Sequence, residues 1–107
     1  MRGVRHHKRV KEEEKMNVRI RFFAQFGELF GSEIIHESVP GTTLTSLIRE
    51  IAAKNKEGYD AVFDKNGAFL DFVILMKNGK RIENADAGKT RFADGDEIAV
   101  FPPVAGG

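Results

Sequence analysis

The sequence predicts an α+β domain in which a mixed sheet of about five strands packs on one main helix, in the order β-β-α-β-β-β. Three observations carry this. Residues 16–24 alternate with the two-residue period of a half-buried strand, residues 44–52 hold an apolar stripe at helical spacing, and Asn78-Gly79 between apolar runs is a hairpin signature. At 107 residues the chain reads as one domain. Such a chain buries roughly 65% of its unfolded surface, enough for one core.

In the first strand Val18, Ile20 and Phe22 face one way and Arg19, Arg21 and Phe23 the other. Gly27 and Gly31 bracket a turn region, residues 25–32, in which Phe26, Leu29 and Phe30 form a short helical turn against the core. Residues 33–39 make a second strand that ends at Pro40-Gly41, and the short link predicts an antiparallel hairpin. In the helix, Leu44, Leu47, Ile48, Ile51 and Ala52 recur at i, i+3, i+4, i+7 and i+8. Thr42 or Thr43 supplies its N-cap and Gly58 its C-terminal stop. Arg49, Glu50, Lys54 and Lys56 take the solvated face, and the stripe packs on the sheet with no cofactor role.

Residues 59–69 read as a short turn or helix and then a loop. Phe72 to Met76 form a third strand, apolar on both faces and therefore central. Asn78-Gly79 suits a type I′ turn, and Lys80-Arg81-Ile82 returns as an edge strand whose cations discourage edge-to-edge pairing. A polar connection over 83–93 leads to a turn at Asp94-Gly95 and a last strand, residues 97–101, ended by Pro102-Pro103. A hairpin at each end with a helix between places the first and last strands side by side and parallel. That arrangement is the β-grasp.

Composition narrows the function classes. Seventeen Lys+Arg against sixteen Asp+Glu leave a net charge of +1, which favours neither nucleic acid nor a membrane surface as partner. Cysteine is absent, so the chain offers no disulfide, thiolate nucleophile or Cys-based metal site, and a reducing cytoplasmic setting fits. No apolar run approaches the roughly 18 residues of a membrane span. Nine Phe beside one Tyr and no Trp suit core filling, with any surplus available for docking. Residues 1–15 hold little apolar surface and read as a flexible charged arm. Its His6 and His7 lack the further ligands a metal site needs, Glu12 to Glu14 offset much of its positive charge, and Met16 also reads as an alternative start.

The sequence reaches Gly106-Gly107 directly after Phe101-Pro102-Pro103-Val104-Ala105. Residues without side chains thread into a narrow channel where a Cβ would clash. The prolines restrict the conformations upstream, so less entropy is lost on insertion. The bland alternative is a frayed end. No P-loop signature and no Cys or Ser nucleophile in a recognisable context is present. The chain is therefore expected to be non-catalytic by itself, with no permanently bound cofactor and no metal.

Arg21-Phe22-Phe23-Ala24, Asp94-Gly95-Asp96-Glu97 and the ending Phe101-Pro102-Pro103-Val104-Ala105-Gly106-Gly107 resemble the MoaD-type small subunit of molybdopterin synthase. They equally resemble the archaeal ubiquitin-like small modifiers on the same scaffold and, more distantly, the thiamine sulfur carriers. The resemblance covers residues 16–107. It implies a carrier whose C-terminal glycine, here Gly107 with Gly106 as its flexible neighbour, is adenylated with ATP by an E1-like enzyme. In the carrier branch a thiocarboxylate then delivers sulfur, with the large molybdopterin synthase subunit (MoaE-like) as partner. In the modifier branch the same glycine is joined to target lysines. A further alternative is a non-reactive ubiquitin-like interaction domain.

The parity of the strands gives a candidate docking surface. Phe23 lies opposite Val18, Ile20 and Phe22, and Phe101 lies opposite Ile98 and Val100, so the two meet on the helix-free face if the end strands are neighbours. From the third strand either Val73 and Leu75, the pair expected here, or Phe72, Ile74 and Met76 join them. The alternative is that residues 57–71 or the polar connection cover this face as a second core. Arg19 and Arg21 flank the patch and either meet an acidic rim or only solubilise the face. Asp94, Asp96 and Glu97 lack the spacing of a Ca²⁺ loop, and Asp-Gly at a turn accounts for the first. His36, on an edge-type strand, reads as a surface or half-buried residue rather than an acid/base.

Overall fold

A computed structural model describes residues 15–102. The expected arm, apart from Lys15, and the tail beyond Pro102 lie outside the described residues. Five strands form one sheet: β1 (Met16–Phe22), β2 (Glu33–Ser38), β3 (Ile74–Lys77), β4 (Lys80–Ile82) and β5 (Glu97–Phe101), in the order β2-β1-β5-β3-β4. β1 pairs antiparallel with β2 and parallel with β5, while β3 pairs antiparallel with both β5 and β4. The parallel contact of the first and last strands is the β-grasp relation expected from the element order.

The alternation of β1 sets the layers. Val18, Ile20 and Phe22 are buried beneath the helices together with Ile98 and Val100 of β5. Against them pack the stripe residues Leu44, Leu47, Ile48, Ile51 and Ala52 of the main helix. Three α-helices cover this side: α1 (Gln25–Phe30), α2 (Leu44–Ala52) and α3 (Lys56–Val62). None of the described helices is long and apolar enough to cross a membrane. Thr43 caps α2, its Oγ1 accepting the Ser46 N–H at 3.2 Å, and the Leu44 N–H donates to the Thr90 carbonyl at 2.9 Å.

Gly58 does not stop the main helix. α2 ends at the Ala53 cap, and Asn55 then starts α3 by accepting the Gly58 N–H on Oδ1 at 3.1 Å. The Asn55 amide also donates to the Leu29 carbonyl at 2.9 Å. An N-cap with its own hydrogen bonds thus splits what reads as one helical stretch. Gly58 is buried inside α3 because its missing Cβ admits the Phe30 ring of α1.

The third strand also differs. Val73 N–H turns back to the Leu70 carbonyl at 3.0 Å, so β3 begins at Ile74. β5 holds the middle of the sheet, and β3 lies between β5 and β4, an interior place consistent with its two-sided apolar pattern. Asn78 (φ 52°) and Gly79 (φ 85°) form the expected tight turn into the basic edge strand β4. Within the polar connection a 3₁₀ helix, Asn84–Lys89, buries Ala87 against the core.

Candidate functional site

On the helix-free side the register lays the residues out in rows across the strands. At the exit end of β5, Ile74 is paired with Phe101, and the Phe23 ring stacks on the Phe101 ring with centroids 4.3 Å apart and planes 10° from parallel. The next row runs Arg81, Met76, Ala99, Arg21, Glu33. The third holds Ile35, Arg19 and Glu97. Phe72, just before β3, is 51% exposed.

The expected meeting of Phe23 and Phe101 is therefore present, and the strand-three partners are corrected. Val73 and Leu75 are fully buried core residues, so neither belongs to an exposed face. Ile74 and Met76 take the helix-free side and are only half-buried. Among the described residues no helix covers this apolar strip: α1, α2 and α3 pack on the opposite face.

Charges frame the strip in matched pairs. Arg19 Nε lies 3.0 Å from Glu33 Oε2, and Arg21 Nη1 lies 3.4 Å from Glu97 Oε2. The Arg21 guanidinium also sits over the Phe23 ring, 5.2 Å from its centroid. Arg21, Phe23 and Phe101 thus form a three-layer stack where β5 ends. Pro102, buried, continues directly from Phe101. Pro103, Val104, Ala105, Gly106 and Gly107 lie outside the described residues.

The carboxylates of the Asp94–Glu97 turn are used structurally. Asp94 Oδ1 accepts the Asn17 N–H at 2.8 Å. Asp96 accepts the Asn78 amide on Oδ1 at 2.9 Å and the Ala93 N–H on Oδ2 at 2.8 Å. Burial by itself would raise the Asp96 carboxyl, but the Asn78 amide, the Ala93 N–H and the Lys77 ammonium together hold it below its ordinary value. Asn78 Oδ1 in turn accepts the Glu97 N–H at 2.9 Å, so one side chain fastens the β3–β4 hairpin to the start of β5. Among the described residues no group of three His, Cys, Asp or Glu could hold a metal ion. His36 Nε2 lies 2.9 Å from Glu50 Oε1 on the helix side, remote from the strip.

Comparison with known proteins decides the family. Residues 20–107 match the ThiS family. The chain belongs to the ThiS family. Small archaeal modifier protein 3 of Haloferax volcanii is 34% identical over 93 residues, covering 86% of this chain and all of that protein. The molybdopterin synthase sulfur carrier subunit of Escherichia coli is 27% identical over 94 residues, covering 84% of this chain and 99% of that protein. The crystal structure of SAMP1 from Haloferax volcanii superposes with a TM-score of 0.74 at 25% identity, covering 85% of this chain and 99% of that one. The resemblance to MoaD-type carriers and archaeal modifiers is thereby borne out. The chain is one of the ubiquitin-like sulfur carriers and modifiers, and its ThiS family match extends through the glycine pair.

Proposed function

We propose that the chain is a sulfur carrier of molybdenum cofactor biosynthesis, the small subunit of a molybdopterin synthase, with Gly107 as its reactive residue. The observation that carries the reading is positional. The central strand β5 brings the chain to Phe101 and Pro102 beside an apolar strip that no described helix covers, and Gly106-Gly107 follow within five residues in the sequence. The name of the Escherichia coli relative, a sulfur carrier subunit of molybdopterin synthase, supports the same role.

In this reading Gly107 carries the free α-carboxyl group, which with an ordinary pKa of about 3.5 is a carboxylate at neutral pH, a poor electrophile. Activation begins when a carboxylate oxygen attacks the α-phosphorus of ATP and pyrophosphate leaves. Hydrosulfide supplied by a sulfur donor then attacks the acyl carbon and expels AMP, leaving a thiocarboxylate. The chain has no P-loop signature for ATP and no cysteine to relay sulfur, so in this reading adenylation belongs to an E1-like partner and sulfur delivery to its sulfur source, in the ATP-containing cytoplasm. Phe23, Phe101, Ile74 and Met76 form the docking strip for that enzyme, and afterwards for the MoaE-like large subunit. Arg21, held by Glu97 and stacked on Phe23, stiffens the strip beside the exit. The Pro102-Pro103 pair aims the tail, and Val104, Ala105 and Gly106 span the channel leading to Gly107.

Full-length protein incubated with ATP, its cognate E1-like enzyme and a sulfur donor should gain the mass difference between one sulfur and one oxygen atom. Deleting Gly106-Gly107 should abolish that gain and leave the fold unchanged. If the intact chain never gains the mass, the carrier reading fails.

A second reading, conjugation of Gly107 to lysines of other proteins, is favoured by the 34% identity over the whole of small archaeal modifier protein 3. Its test is a search for lysines carrying residues 92–107, because trypsin last cuts this chain after Arg91. If the tail deletion changed neither cofactor synthesis nor conjugates, a non-reactive interaction domain would remain.

A further inference from the structure

The middle row of the helix-free face, Glu33–Arg21–Ala99–Met76–Arg81, crosses the sheet from edge to edge. Its charges are not equivalent. Glu33 is matched by Arg19 and Arg21 by Glu97. Arg81 is exposed, stands opposite Met76 at the margin of the docking strip, and has no ion pair among the described residues.

The sequence around each edge repeats this polarity. Between residues 77 and 91, five cations (Lys77, Lys80, Arg81, Lys89, Arg91) accompany two carboxylates (Glu83, Asp86). Between residues 22 and 48 there are three carboxylates (Glu28, Glu33, Glu37) and neither Lys nor Arg. A chain of net charge +1 is therefore basic in the sequence around β4, while the carboxylates of β2, Glu33 and Glu37, face the β1-side cations Arg19 and Lys15.

A protein seated on the strip can cover Arg19 and Arg21 with their own carboxylates in place. Covering Arg81 leaves an unpaired, desolvated cation unless the partner supplies the anion. We propose that Arg81 sets the orientation of the E1-like enzyme on the Phe101–Met76 strip by meeting a carboxylate of that enzyme. The inference rests on the reading of the strip as a docking face. β4 lies two strand spacings from β5, so the matching carboxylate stands about 10 Å to one side of the site that takes the Phe101 ring.

The test uses the full chain and its cognate E1-like enzyme, following ATP-dependent thiocarboxylate formation from about 0.05 to 1 M salt. Arg81→Glu should lower kcat/KM at least about tenfold at low salt, through KM, because the lost contact steers and orients encounter. Arg81→Lys should stay near wild type. The gap should close at high salt, where the Debye length is about 3 Å. Phe101→Ala should be impaired at every salt concentration. If Arg81→Glu matches wild type at low salt while Phe101→Ala is impaired, the role of Arg81 is overturned and the docking reading survives. If Phe101→Ala is unimpaired, the docking reading itself falls. Equal losses in Arg81→Lys and Arg81→Glu would make the effect steric and refute the charge assignment. Competition by an RNA oligonucleotide against wild type but not Arg81→Glu would assign the basic edge to nucleic acid and overturn the proposal.

Discussion

Gly58→Ala is expected to destabilise the domain, although a glycine within a helix is ordinarily improved by this change. The helical gain is about 1 kcal/mol. Against it, a Cβ on Gly58 would lie 2.5 Å from Cζ of Phe30 and closer still to Cε1. The ring cannot withdraw freely, because it packs on Phe22 with centroids 4.7 Å apart, and such pairs contribute about 0.5–1.5 kcal/mol beyond their buried area. Overpacking of this kind costs about 1–3 kcal/mol. The balance is a net loss near 1 kcal/mol, or a fall in Tm of about 4–8 °C for a domain this size. The decisive measurement is the sign in two backgrounds. In Phe30→Ala, where the obstructing ring is gone, Gly58→Ala should raise stability by about 1 kcal/mol, read from denaturant midpoints at constant m. If Gly58→Ala stabilises the wild-type protein, or has the same effect in both backgrounds, the close approach of α1 and α3 is not what selects glycine there.

The two parities of β3 should separate in the same denaturation assay. Leu75→Ala should cost about 2–5 kcal/mol, whereas Met76→Ala, half-buried on the helix-free side, should cost under about 1.5 kcal/mol and, on the proposed docking role, weaken capture by an E1-like enzyme; the reverse order of costs would refute the corrected faces. Asp96 gives a pH signature. Its folded pKa lies below the ordinary 3.8, so its contribution is full above the unfolded value and is lost as pH falls through the folded one. The stability gap between wild type and Asp96→Asn should therefore shrink as pH drops below 3.8, and a gap that stays constant would refute the role assigned to the carboxylate.

What was legible in the sequence follows from contrast between faces. β1 alternates cleanly, so Val18, Ile20 and Phe22 announce the core side and Phe23 the other. The α2 stripe and Asn78-Gly79 are equally local signals, and each forms as expected. β3 is silent because it has neighbours on both sides and apolar residues on both faces. Its nearest polar residue misleads: Lys77 shares the parity of Val73 and Leu75, yet its ammonium escapes to the Arg91 carbonyl at 2.8 Å and towards Asp96. Only the pairing of Ile74 with Phe101 resolves the phase, and pairing is a long-range property. Gly58 misleads for a related reason. Its cause is the Phe30 ring, 28 positions away in the chain, while the true end of α2 is written in Asn55, whose capping geometry looks like an ordinary polar residue in a helical stretch. Local sequence marks Arg81 only as an edge guard, since its place beside Met76 again depends on register.

The parallel contact of β1 and β5 has a mechanical consequence. Arg19 to Phe22 lie alongside Glu97 to Val100, with rungs from the Arg19 N–H to the Asp96 carbonyl and from the Phe23 N–H to the Val100 carbonyl, each 3.0 Å long. Both strands run the same way, so Met16 and Pro102 leave the sheet at opposite ends. A pull on Pro102 against an anchor at Met16 therefore shears the two central strands along their length. The hydrogen bonds lie across the line of force and share the load, where a hairpin pulled at its open end would yield one rung at a time. A domain gripped beyond Pro102 is thus held by the seam best arranged to resist being drawn out.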